Sequence, residues 1–148
     1  DVHLMIEDPG RYIDEFAAVG ADVITLHAEA TKHLHRAIQQ VKAKGLKVGV
    51  SLNTATPLSA LDYVLEDINP GYGGQSYINK MDDKIKELRK IITEKGLDID
   101  IEVDGGISAK NIAHVKECGA NVFVAGSAVF NGDIASSTKE ILKAMEAQ

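Results

Sequence analysis

Tryptophan is absent from this chain and cysteine occurs once, at Cys118. A lone cysteine excludes an intrachain disulfide and suits a reducing compartment such as the cytoplasm. No apolar run approaches the roughly 18 residues of a membrane-spanning helix, so no membrane partner is expected. Positive charge is in deficit too. Sixteen Lys and Arg stand against twenty-two Asp and Glu, for a formal net charge of −6. A nucleic-acid surface is not expected of such a balance. Also missing are a GxGxxG dinucleotide fingerprint and a lysine at a strand end, where a Schiff base would form. What remains is an acidic chain of 148 residues, apolar enough for the core of a single domain over 1–148.

Its pattern is strand–helix alternation. Short β-branched runs occur at 2–6, 22–26, 47–52, 99–103 and 121–125. Amphipathic stretches predict helices over 9–19, 32–44, 57–66, 82–95, 109–118 and 134–146. Gly20, Gly45, Gly96 and Gly119 follow helices as caps, and Pro9 and Pro57 suit first-turn positions. Such alternation implies βαβ units and a parallel sheet covered on both faces. The interval between the strands starting near 47 and 99 is about twice the others. Within it, one helix runs through Ile68 into Asn69-Pro70-Gly71 and the next helix. A strand is therefore expected to be missing at the Ile68/Asn69 junction. Because Asp1-Val2-His3-Leu4 already reads as strand, further strands are expected before residue 1. Eight strands would make a (β/α)8 TIM barrel, here incomplete, which typically needs ~200–250 residues. An open doubly wound sheet is the structural alternative.

In either architecture ligands bind at the carboxyl ends of the strands. His3 alternates with Val2 and Leu4 and so faces the barrel interior; the competing reading is a hydrogen-bonded core histidine. Met5 shares that face, as site lining or core filler. His27 ends the second run and points into the mouth or into solvent. Asn53 ends the third, either to meet a ligand hydroxyl or to cap the next helix. Asp104 closes an apolar strand and is followed at once by Gly105 and Gly106. A turn aspartate is the plain reading. Gly71, Gly73 and Gly74 around Tyr72, and Gly126 before Ser127, stand in equivalent places. Together these glycines offer bare backbone N–H groups suited to a phosphate dianion.

The segments 1–5, 27–30, 69–76, 102–107 and 124–130 carry a resemblance across the whole chain. Asn69-Pro70-Gly71-Tyr72-Gly73-Gly74-Gln75-Ser76 and Glu102-Val103-Asp104-Gly105-Gly106-Ile107 are its most specific parts. With Asp1-Val2-His3-Leu4-Met5, His27-Ala28-Glu29-Ala30 and Val124-Ala125-Gly126-Ser127-Ala128-Val129-Phe130, they resemble the ribulose-phosphate 3-epimerase family. The resemblance implies a TIM barrel that interconverts D-ribulose 5-phosphate and D-xylulose 5-phosphate in the pentose phosphate pathway. It also implies one divalent metal, commonly zinc, with iron, manganese or cobalt as substitutes, and a homo-oligomer. His3 then matches a metal ligand, and Asp104 both a metal ligand and one of two acid–base aspartates. Gly71, Tyr72, Gly73, Gly74, Gly105, Gly106, Gly126 and Ser127 match substrate- and phosphate-binding segments, and Met5 matches a site-lining methionine.

The family pattern also implies elements that these residues do not contain. A substrate-binding serine, a second metal-binding histidine and the partner aspartate would precede Asp1. An apolar strand with another methionine would precede Asn69. The chain is thus expected to be the C-terminal two thirds of a ribulose-phosphate-binding barrel. The alternatives are a barrel enzyme of the allulose 6-phosphate 3-epimerase or hexulose-phosphate synthase type, or a catalytically incomplete fragment.

Overall fold

The computed structural model describes residues 1–73 and 81–146, without the side chains of 69–73. These residues belong to two compact units, Asp1–Tyr72 and Gly73–Gln148.

The first unit contains four strands, β1 (Val2–Leu4), β2 (Val23–His27), β3 (Lys47–Leu52) and β4 (Asn69–Gly73). Helices α1 (Ile13–Ala18) and α2 (Leu34–Ala43) connect the first three. Each strand pairs in parallel with the next in chain order. The register sets His3 beside Thr25, Thr25 beside Gly49, His27 beside Ser51, and Ser51 beside Gly71. Because side chains alternate along a strand, His3, Thr25, His27, Gly49 and Ser51 share one face. The opposite face carries Leu4, Ile24, Leu26, Val48, Val50 and Leu52, all buried. Ile13 of α1 and Ala37, Ile38 and Val41 of α2 are buried as well, and α2 lies against β3. Removing a fully buried Leu or Ile side chain from water is worth about 1.5–3 kcal/mol. This apolar face is therefore what holds the polar face in register.

Two expectations are corrected here. The helix predicted over 57–66 is instead a pair of 3-10 turns, Leu58–Leu61 and Leu65–Asp67. Leu58, Leu61, Val64, Leu65 and Ile68 are all buried, so the apolar spacing secures burial without an α-helical period. The strand expected to be missing at Ile68/Asn69 is present, because Asn69–Gly73 pairs with β3. A 3-10 segment rises ~2.0 Å per residue against 1.5 Å for an α-helix, which gives the connection more reach back to the sheet. The run contains one proline, two glycines and no β-branched residue, so its composition reads as a turn. Backbone pairing overrides that composition.

The second unit contains α3 (Met81–Glu94), β5 (Glu102–Asp104), α4 (Ile112–Glu117), β6 (Val122–Val124), α5 (Ser127–Phe130) and α6 (Ile134–Glu146). β5 and β6 are parallel, with Asp104 beside Val124. Ile85, Leu88 and Ile92 form the buried stripe of α3 at helical spacing. Ile99, Ile101, Val103, Ile112, Val115 and Cys118 are also buried. Arg89 ties α3 to the loop before β6. Its Nε donates to the Gly119 carbonyl (2.8 Å) and an Nη to Asn121 Oδ1 (3.1 Å). Asn121 Oδ1 also accepts from the Ile101 N–H at 2.7 Å. The helix predicted over 134–146 has those same bounds, whereas nothing in the sequence pattern predicts α5.

Candidate active site

β1 and β2 bring His3 and His27 together at the polar face of the first unit. Their Nε2 atoms are 2.9 Å apart and their rings stack with centroids 4.8 Å apart. At that distance one nitrogen donates and the other accepts. His27 Nδ1 lies 3.6 Å from Glu29 Oε2. Glu29 Oε1 in turn accepts from the Asn53 backbone N–H at 2.8 Å and from the Thr56 hydroxyl. Burial opposes ionisation of Glu29, but the hydrogen bonds from Thr56 and Asn53 outweigh it and hold the carboxyl below the usual glutamate range. Glu29 thus clamps the loop after β3 to the loop after β2 and stays ionised beside His27. A second tie links the loops after β1 and β2, where the Asp8 N–H donates to the Ala30 carbonyl at 3.0 Å.

Ser51, beside His27 in the register, is fully buried, and its hydroxyl has no hydrogen-bond partner among the described residues. Met5 lies one residue past β1 and is 65% exposed, so the core-filler reading does not hold for it. Asn53 places its backbone, rather than its side chain, in the Glu29 clamp.

In the second unit Asp104 ends β5, and Gly105 and Gly106 follow with φ of 118° and 66°. Two consecutive positive φ values are a conformation that L side chains rarely adopt, so the glycine pair is required by the backbone itself. Asn111 fixes the far side of the loop. Its Oδ1 accepts from the Ser108 N–H (2.9 Å) and its Nδ2 donates to the Gly106 carbonyl (2.9 Å). Glu102 lies two residues before Asp104 on the same strand face. Burial first, and the Asp104 charge second, push its carboxyl above the usual range. Neither Glu102 nor Glu29 was singled out from sequence. The signal for Glu102 was its i, i+2 spacing from Asp104.

Gly126 precedes the first turn of α5, with φ of −91° and nothing within 4 Å of where a Cβ would stand. Neither conformation nor packing demands glycine there. Ser127 opens α5 and is exposed. Gly71, Tyr72 and Gly73 form most of β4, while Gly74 lies outside the described residues.

One group of three metal-ligating side chains occurs among the described residues, and it involves neither His3 nor Asp104. Asp82 of α3 and His114 and Cys118 on and just after α4 hold their ligating atoms within 4.8 Å of one another. Among the described residues no helix is long and apolar enough to cross a membrane.

The family model described as the ribulose-phosphate 3 epimerase family matches residues 1–130. The ribulose-phosphate 3-epimerase of Escherichia coli K12 is 48% identical over 139 residues, covering 88% of this chain and 62% of the relative. That of Bacillus subtilis is 50% identical over 139 residues, covering 88% and 64%. The chloroplastic ribulose-5-phosphate-3-epimerase of Arabidopsis thaliana is 48% identical over 152 residues, covering 95% and 54%. The chain therefore spans less than two thirds of the length of these relatives.

Among solved structures, a 3-hexulose-6-phosphate synthase superposes with a TM-score of 0.75 at 21% identity, covering 95% of this chain and 70% of that one. KGPDC from Streptococcus mutans gives 0.74 at 17% identity, covering 95% and 68%. Likeness at that identity shows the fold alone. The fold is the parallel α/β fold of an incomplete TIM barrel, with six strands among the described residues. The sequence likeness is to epimerases rather than to the synthase.

Proposed function

Because the chain belongs to the ribulose-phosphate 3-epimerase family, we propose that it forms the C-terminal two thirds of a barrel enzyme interconverting D-ribulose 5-phosphate and D-xylulose 5-phosphate. The observation that carries the reading is Asp104 at the end of β5, followed by a glycine pair whose backbone no other residue type adopts readily. Epimerisation beside a ketone needs a base for the C3 proton, charge to hold the enediolate, and an acid on the opposite face. In this reading Asp104 moves the proton on one face. Glu102 lies on the same strand face two residues before Asp104, with its carboxyl raised by burial and by the Asp104 charge. Gly105, Gly106, Gly126 and Ser127, with Gly71, Tyr72, Gly73 and Gly74, receive the substrate and its phosphate. The glycine at 126, which neither φ nor packing explains, supports close approach of a ligand to the backbone there.

The family points to a divalent ion, and we assign His3 and Asp104, the positions that match its ligands, to hold it. Their imidazole nitrogen and carboxylate oxygen suit zinc, iron, manganese or cobalt, with zinc first. The His3–His27 contact fits this assignment. The contact holds the two imidazoles together at the strand ends, and a metal taken up at Nε2 of His3 would replace the hydrogen bond to His27. When bound, the ion supplies positive charge against the developing enediolate. His27, steadied by Glu29, orients His3, and binding of the remote phosphate positions C3 beside Asp104. A cytoplasmic homo-oligomer is part of the same reading, and a single buried free thiol suits a reducing compartment.

The test is Asp104→Asn in the longer protein. Turnover of ribulose 5-phosphate should fall by about 10³-fold or more, with an unchanged far-UV circular dichroism spectrum. Turnover near wild type would overturn the assignment.

A further inference from the structure

We propose that Asp82, His114 and Cys118 form a second metal site, one that takes a zinc-class divalent cation and staples α3 to α4. The site lies on helices and uses no residue of the strand-end machinery. Asp82 sits in the first turn of α3. His114 and Cys118 are four residues apart, so one face of α4 presents both.

The donor set is mixed, with one carboxylate oxygen, one imidazole nitrogen and one sulfur. That combination suits borderline cations rather than magnesium or calcium. The spacing is close to that of a loaded site. His114 Nε2 is 2.6 Å from Asp82 Oδ2 and 3.8 Å from Cys118 Sγ. Ligands around a tetrahedral zinc-class ion stand about 3.3–3.7 Å apart, given bonds of ~2.0–2.3 Å. Loading therefore requires the His–Asp pair to open by less than ~1 Å, the Cys–His pair to close by a few tenths of an ångström, and the Asp–Cys pair, which lies within 4.8 Å, to close by at most ~1.3 Å.

The surroundings favour a cation and give it a way in. Asp82, Asp83 and Glu117 bear on Cys118, against Lys86 alone on the positive side. Cys118 is 3% exposed and the Asp82 side chain 16%, whereas the His114 side chain is 52% exposed. The sulfur thus sits at the protected bottom of the site and the imidazole at its open edge. Three protein donors leave a fourth position for water. Burial, and then the charge of Asp82, hold the thiol protonated above its usual range. On binding, the S–H bond breaks, a sulfur–metal bond forms, and the proton leaves to solvent.

Cys118 is the only cysteine in the chain, which makes a selective test available. The 148-residue protein is stripped of metal and titrated with Co²⁺, following the thiolate-to-cobalt charge-transfer band. A divalent ion held by His3 and Asp104 gives no such band, so failure at that site and failure at this one are separable. The expected result is a saturable band at one equivalent, displaced by Zn²⁺, absent in Cys118→Ser, and requiring at least about tenfold more Co²⁺ in His114→Gln. Should Cys118→Ser fail to fold, His114→Gln decides, because its exposed side chain is removed without a cavity. No band in the parent protein, or an unchanged midpoint in His114→Gln, would overturn the site and leave the His114–Asp82 contact as a plain interhelical hydrogen bond.

Discussion

Two glutamates near the strand ends have shifted carboxyls of opposite sign, and this makes a pH experiment discriminating. Glu29 is held below the ordinary glutamate value of about 4.3. The native state therefore binds its proton less well than the unfolded chain does. Its contribution to stability is complete above ~pH 4.3 and is lost as pH falls through the lower native value. Glu102 is held above the ordinary value. The native state prefers its protonated form, so ionised Glu102 costs stability at neutral pH. That cost is relieved as pH falls through the raised value towards ~4.3. Urea midpoints measured across the weakly acidic range should show Glu102→Gln more stable than the parent at neutral pH. Glu29→Gln should be less stable at neutral pH, with a flatter acid limb. A Glu102→Gln protein destabilised at neutral pH would contradict burial as the dominant influence on that carboxyl. Asp104 stands out in the sequence because a carboxylate ends an apolar run before two glycines, and His3 because it alternates with Val2 and Leu4 in a strand. Glu29 does not, because its partners, the Asn53 backbone and the Thr56 hydroxyl, are 24 and 27 residues away.

At the scale of elements, the glycines after helices divide into two kinds that the sequence makes look alike. Gly96 follows α3 with φ of +65° and open space around the position of a Cβ. Gly119 follows α4 with φ of +118°, and a Cβ there would stand 2.7 Å from Arg89 Cβ and 2.8 Å from Arg89 Cγ. Those atoms are the root of the side chain that bridges Gly119, Asn121 and Ile99, so they cannot yield without loosening the bridge. Gly96→Ala should cost about 1–2 kcal/mol, the left-handed penalty alone. Gly119→Ala should cost at least about 3 kcal/mol, since a harsher φ and a steric clash compound. Thermal melts of the two variants check the difference, and equal costs would mean that Arg89 repacks freely. Elements with a strong period were legible in sequence, α6 to the residue. The segment 57–73 was not. Its apolar spacing fits a helix, yet burial of Leu58, Leu61 and Leu65 is met by 3-10 turns. Its strand is specified by the open edge of β3 rather than by β-branched side chains.

At the scale of the molecule, His3 belongs to one compact unit and Asp104 to the other, and the chain matches only 62% of the Escherichia coli relative. The family resemblance assigns a second metal-binding histidine and the partner aspartate to strands that would precede Asp1. On that reading these 148 residues hold one carboxylate of an acid–base pair and two of four ligands. One carboxylate can remove the C3 proton but cannot deliver another to the opposite face. Loss of the partner should then cost turnover the ~10²–10⁴-fold typical of a positioned acid or base, before any loss from weaker metal binding is counted. The chain alone should leave ribulose 5-phosphate unconverted in an assay coupled to xylulose 5-phosphate consumption. It should still exchange the C3 hydrogen slowly with deuterated water, because removal and return on one face need only Asp104. Adding, as a separate polypeptide, the strands that the family resemblance assigns before Asp1 should restore epimerisation, since barrels assemble from βα units whose polar ends converge. Epimerisation by the chain alone at the rate of its 50%-identical relative would show that both faces are already served, and that the second acid lies among the 148 residues.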